Sequence, residues 1–165
     1  MLNMTNAVNL SANLSSRKDQ RDKYTQFFSF GKDYFDASKL LYRERGDKTY
    51  IQLDLLCHAL ENVLKYAICE LGGFYYEFEK GSKESKSRHD LEKLFNKFCT
   101  LTKSAFPKAQ AKLIRVEVQA FNNLYKHRDT GYGGKLKTIF HPPNSFKTEQ
   151  IESFLENVFV SRIKD

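Results

Sequence analysis

Residues 122–130 read Asn-Asn-Leu-Tyr-Lys-His-Arg-Asp-Thr, and they hold the side chains best suited to chemistry in this chain. His127 follows Asn123 by four positions, a spacing that lets two side chains meet on a helix. Near a helix C-terminus the dipole favours imidazolium, so His127 is placed to take up and release protons near neutral pH. The structural alternative is a histidine that merely closes its helix. Upstream, Lys108, Lys112, Arg115, Gln119, Asn122 and Lys126 fall on one polar stripe at 100° per residue. Four cations on such a stripe can track a phosphate backbone, and the same stripe also fits an ordinary solvated face. Asn122 lies about 140° around the helix from His127, so a single protomer does not bring the two together.

The opposite arc holds Leu113, Ile114, Val116, Val118, Ala120, Phe121, Leu124 and Tyr125, with Glu117 in its middle. A carboxylate there needs a partner, and His58 or Lys65 of an earlier helix are the candidates. His58-x-x-Glu61 places two metal-ligand types on one helix. Carboxylate-bridged bundles need a second such motif, which the chain lacks, so no metal and no cofactor are expected. Cys57, Cys69 and Cys99 contain no Cys-x-x-Cys pair and suit neither a disulfide framework nor a zinc site. Gly131-Tyr-Gly-Gly follows a helix rather than a strand and reads as a turn.

The elements that must position these residues are helices. Tyr24, Phe27, Phe28, Tyr34, Phe35, Leu41 and Tyr42 recur in steps of three and four, with Gly31 and Ser38 on the same stripe, and predict a helix from Lys18 to Arg45 ended by Gly46. A second runs from Thr49 to Leu71 and stops at Gly72-Gly73. The third spans His89–Leu101 behind a capping segment, Ser87 to Asp90. The fourth starts at Pro107, whose missing amide hydrogen costs nothing in a first turn, and runs to Lys126 or His127. Leu136 to Phe140 reads as a short extended stretch, and a fifth helix covers Thr148–Arg162 with Ile151, Phe154, Leu155 and Val158 inward. The fold class is therefore all-α, an antiparallel bundle of four to five helices. Residues 1–16 carry no charge and read as a disordered tail, and 17–165 as a single domain.

At 165 residues the chain is long enough for a substantial core. It contains no run approaching the ~18 apolar residues of a membrane span and no basic-then-apolar leader, so the expectation is a cytoplasmic protein with no membrane contact. The net charge is +7, unevenly placed. Residues 81–138 hold 13 Lys/Arg against 5 Asp/Glu, a balance of +8, while the rest holds 14 against 15, a balance of −1. A basic region confined to one third of the chain is the footprint of a phosphate-backbone binder.

The pieces resemble one family. Asn122-Asn123-x-x-x-His127 resembles the Arg-Asn-x-x-x-His motif of HEPN domains, with Asn122 in place of the arginine. Glu61 and Lys65 resemble the acidic residue and lysine of the second HEPN helix. Arg88-His89-Asp90-Leu91 resembles the His-Asp-Leu segment that opens a later helix. In order and spacing the likeness covers residues 20–160. It implies a HEPN-like bundle that dimerises, and in active members a composite site where two motif helices meet. There the ribose 2′-hydroxyl attacks the adjacent phosphate without metal, histidine moves the proton, and arginine stabilises the phosphorane. Asn122 carries no charge and does not supply that stabilisation. Lys126 and Arg128 are the neighbouring cations.

The resemblance therefore sets two expectations. One is an RNA-interacting domain, a metal-independent endoribonuclease or a degenerate relative from a toxin–antitoxin or defence system. Its site core would be Asn123, His127 and Arg128, with nucleic-acid contacts at Lys108, Lys112, Arg115, Asn122 and Lys126. The other is a non-catalytic module that binds an antitoxin-like or defence-system protein.

Overall fold

The computed structural model describes residues 4–72, 89–103, 106–126 and 142–162. Five helices follow in order: α1 (Met4–Arg45), α2 (Tyr50–Glu70), α3 (Leu91–Thr102), α4 (Lys108–Lys126) and α5 (Glu149–Arg162), with one 3₁₀ turn, Pro143–Ser145, before α5. Among the described residues there is no strand, and the architecture is an all-α helical bundle.

α1 and α2 form an antiparallel hairpin. Gly46 has φ +72°, which suits glycine, and its amide donates to Tyr42 O at 2.8 Å to close α1. Thr49 then caps α2, accepting from Gln52 N at 3.1 Å. Gly31 sets how closely the two helices approach. A Cβ added there would lie 2.8 Å from Val63 Cγ2 and 3.3 Å from Ala59 O. Gly31, Phe35 and Ser38 are buried along the expected stripe, and Ser38 Oγ donates to Gln52 O at 3.2 Å. α1 begins at Met4 rather than near Lys18, since residues 4–16 hold neither Pro nor Gly to interrupt a helix.

α2 lies at the centre. Leu53, Leu56, Leu60, Leu64 and Ile68 are each at most 1% exposed. Around them pack Leu91, Phe95 and Phe98 of α3, Ile114, Val118 and Phe121 of α4, and Ile151, Phe154, Leu155 and Phe159 of α5. Each fully buried side chain of this kind contributes about 1.5–3 kcal/mol relative to exposure. Phe98 contacts Phe106 and Phe154 edge-on, with ring centroids 5.3 and 5.5 Å apart. The fifth helix turns Phe159 inward and leaves Val158 half-buried, a one-residue shift of the expected face.

α4 differs more from its sequence reading. Its buried arc is Ile114, Glu117, Val118, Phe121, Asn122 and Tyr125. Leu113 and Val116, expected inside, are 55% and 62% exposed. The arc is rotated by about 70° because two polar residues, Glu117 and Asn122, find partners inside and turn the helix toward them. The expected extended stretch at 136–140 and the capping residue Ser87 lie outside the described residues.

Candidate nucleic-acid interface

Two flanks of α4 carry the polar residues, and they behave differently. On the outer flank Lys108 and Lys112 are exposed. Among the described residues no carboxylate lies within ion-pair distance of either. Arg115 is half-buried, close enough to the Cys99 thiol of α3 for its guanidinium charge to act on it. Burial pushes that thiol up from its ordinary value, and Arg115 draws it only partly back. Gln119 Nε2 donates to Glu92 Oε1 at 3.1 Å, so the outer stripe of α4 runs alongside α3. Lys93 on α3 and Lys103, just past its end, are also exposed.

Asn122 does not belong to this flank. It is 1% exposed and braces the start of α3: its Oδ1 accepts from Leu91 N at 3.0 Å and its Nδ2 donates to Asp90 Oδ1 at 3.1 Å. Asp90 is itself the N-cap of α3 and accepts from Lys93 N at 3.1 Å. The assignment of Asn122 to the phosphate-facing stripe is therefore corrected. A side chain that satisfies a buried helix-start amide is not available to an external phosphate. Asn123 faces outward and is exposed. Lys126 ends α4, and nothing is described of its side chain. His127 and Arg128 lie outside the described residues.

Glu117 is 5% exposed, and its partners are neither His58 nor Lys65. Its Oε2 accepts from Gln150 N at 3.0 Å and from Ile151 N at 2.9 Å, the first-turn amides of α5. One helix thus caps another across the core. Burial pushes the Glu117 carboxyl up, and the two amides oppose that shift without cancelling it.

His58 and Lys65 instead serve Glu61, the centre of a cluster that sequence reading leaves in pieces. Glu61 is 4% exposed. It pairs with the buried Lys65 Nζ, four residues along α2. His89 Nδ1 lies 3.0 and 3.1 Å from its two oxygens, and Tyr125 OH donates to Oε2 at 2.5 Å. Tyr125 OH also lies 2.9 Å from His58 Nδ1, and Tyr34 stacks on His58 at 4.9 Å between centroids. An ionised carboxylate only accepts, so His89 bears its hydrogen on Nδ1. Tyr125 gives its one hydrogen to Glu61, so His58 Nδ1 donates to the phenolic oxygen.

Burial alone would raise the Glu61 carboxyl. The His89 hydrogen bond, the Lys65 ammonium and the Tyr125 hydroxyl outweigh it and hold the group at about 2. A carboxylate so committed is a poor acid and a weak base near neutral pH. Its work is positional: it ties α2 to the start of α3 through His89 and to the end of α4 through Tyr125, two residues before His127. The signal for this cluster is present in the sequence as His58, Glu61 and Lys65 at steps of three and four. Tyr125 and His89 are recognisable as its partners only once the helices are packed.

Among the described residues no group of three or more His, Cys, Asp or Glu side chains is arranged to hold a metal ion. No described helix is long and apolar enough to cross a membrane. Comparison with protein-family models, with curated proteins and with solved structures gives no match.

Proposed function

We propose that the chain is a HEPN-like RNA-interacting domain, a degenerate relative of the nucleases, that binds a phosphate backbone along the outer flank of α4. One observation carries this reading. Lys108 and Lys112 are exposed one turn apart with no carboxylate of the described residues beside them, in the third of the chain whose balance is +8. Lys93 on α3 and Lys103 just past its end are exposed as well. Binding rather than cleavage is the activity proposed, because Asn122 brings no positive charge and is committed to α3. Any strand cleavage would fall to His127 and Arg128 beside Asn123.

Fluorescence anisotropy with single-stranded RNA tests this. Three phosphate contacts on a single strand give a slope of about −2 in log affinity against log salt. The expected result is salt-sensitive binding with intact RNA after incubation in EDTA. A folded protein that fails to bind at low salt removes the proposal. Cleavage abolished by His127→Ala would restore the nuclease reading.

A second reading, a protein-interaction module, is favoured by Leu113 and Val116, which are 55% and 62% exposed. With Ala120 and Asn123, also exposed, they recur at steps of three and four, the pattern of a helix seam. A second copy of this chain or an antitoxin-like protein would cover them. If so, Leu113→Glu/Val116→Glu shifts the mass measured by light scattering and leaves the monomer's helicity intact.

A further inference from the structure

α1 and α4 each leave one face to solvent, and the two faces carry opposite charge. On α1 an arc of about 80° holds Asp22, Asp33, Glu44, Phe30, Ala37 and Leu40, all of them exposed. From Arg21 to Arg45 no lysine or arginine falls within that arc. On α4 an arc of about 140° holds Lys108, Lys112, Ala109, Leu113, Val116 and Ala120, again all exposed and with no carboxylate among them. Among the described residues Asp22, Asp33 and Glu44 have no cation within ion-pair distance, and Lys108 and Lys112 have no carboxylate.

The two faces share one internal order. Viewed along either helix from its N-terminus, the apolar stripe lies on the same side of the charged stripe. It is Phe30 and Ala37 beside the acids of α1, and Val116, Ala109 and Leu113 beside the lysines of α4. Two faces of like handedness meet charge to charge and apolar to apolar only when their helices run antiparallel. A single antiparallel register then sets Asp33 opposite Lys112, Phe30 opposite Val116 and Ala37 opposite Ala109. The two alanines let the helix axes approach closely. Phe30, 51% exposed, and Val116, 62% exposed, would cover one another. The α4 face set antiparallel on a second α4 face instead matches lysine to lysine, which is repulsive.

We infer that the exposed face of α1 in one copy of this chain docks antiparallel on the exposed face of α4 in a second copy. The contact is heterologous, since each copy contributes a different surface to it. The acidic face of α1 then occupies the place of a phosphate backbone and covers Lys108 and Lys112. That consequence rests on the RNA reading, whereas the docking itself does not.

Sedimentation equilibrium of the full chain tests it. A contact one helix face wide belongs with the weak, transient interfaces, so the average mass should rise with concentration between about 10 µM and about 1 mM. Asp33→Lys and Lys112→Glu, each checked for helicity, should each weaken self-association about tenfold. Mixed in equal amounts, the two variants should associate again, because the intact α4 face of the first meets the intact α1 face of the second. A chain that stays monomeric throughout the range overturns the inference. So does self-association that Asp33→Lys leaves unchanged, or a mixture no stronger than its components. Single-stranded RNA added at low salt should disperse the wild-type assembly. Assembly without any RNA binding removes the RNA reading and keeps the docking, and RNA binding by a chain that never assembles does the reverse.

Discussion

The inner polar seam and the outer basic flank meet on α4 and differ in how their charges are satisfied. Inside, Asn122 and Glu117 cap two other helices and Tyr125 holds Glu61, each polar group matched to a named partner. Outside, Lys108 and Lys112 project with no described carboxylate beside them. Polar groups that are buried must be paired, so inner residues are answerable to folding. Exposed cations need no partner, so they remain available to one. The difference separates what α4 does for the bundle from what it offers to a ligand.

The largest effect should come from the middle of the seam. Glu61→Ala leaves Lys65 buried without its counter-charge and is expected to cost about 3–5 kcal/mol in urea unfolding. A loss below about 1 kcal/mol would mean that the seam does not hold the helices together.

The pH dependence should be nearly as large. Glu61 is held at about 2 in the folded chain against an ordinary 4.5. Its folded value is the lower one, so its stabilisation is present above about 4.5 and is lost as pH falls toward 2. The gap corresponds to roughly 3 kcal/mol. Glu117 works in the opposite sense. Its raised value favours the folded state most at low pH, and that contribution fades as pH rises through the shifted range. Thermal unfolding from pH 6 downward should therefore show a net loss that Glu61→Gln flattens.

Asn122→Ala strands the Leu91 amide and should cost about 1–3 kcal/mol while leaving RNA affinity unchanged. Asn122→Arg recreates the HEPN-type Arg-Asn-x-x-x-His pattern in letter only. It places a bulky cation against the amide end of α3, where the dipole is unfavourable, and should destabilise the bundle without creating cleavage. Efficient metal-free cleavage by that variant would dissolve the distinction between the two flanks.

Glu117→Ala removes the cap of α5 and should cost about 1–2 kcal/mol, again with RNA affinity intact. Lys108→Glu/Lys112→Glu should shift stability by no more than about 0.5 kcal/mol, the smallest effect of the set.

Much of the bundle is legible in the sequence because apolar spacing reports burial directly. Leu53, Leu56, Leu60 and Leu64 mark the inner face of α2, and Gly31 with Ser38 mark where α1 comes close. Asn122 escapes that logic. It scores as a surface residue, and only the packed position of Leu91 reveals the amide that holds it inside. Leu113 and Val116 fail in reverse, since apolar character alone placed them in the core. Glu117 is recognisable as a carboxylate needing a partner, but backbone amides of α5 leave no trace in side-chain identity. For the site, Lys108, Lys112 and Arg115 are legible as one stripe, whereas the Glu61 cluster depends on residues from α1, α2 and α4 and on His89, just ahead of α3.

The salt dependence of RNA binding, compared across three proteins, tests the separation of the two flanks most directly. The wild type should show a slope of about −2, Asn122→Ala the same slope, and Lys108→Glu/Lys112→Glu a slope shallower by about 1.4. Equal slopes for wild type and the double lysine variant, or a slope lost on Asn122→Ala in a protein that remains folded, would contradict the account.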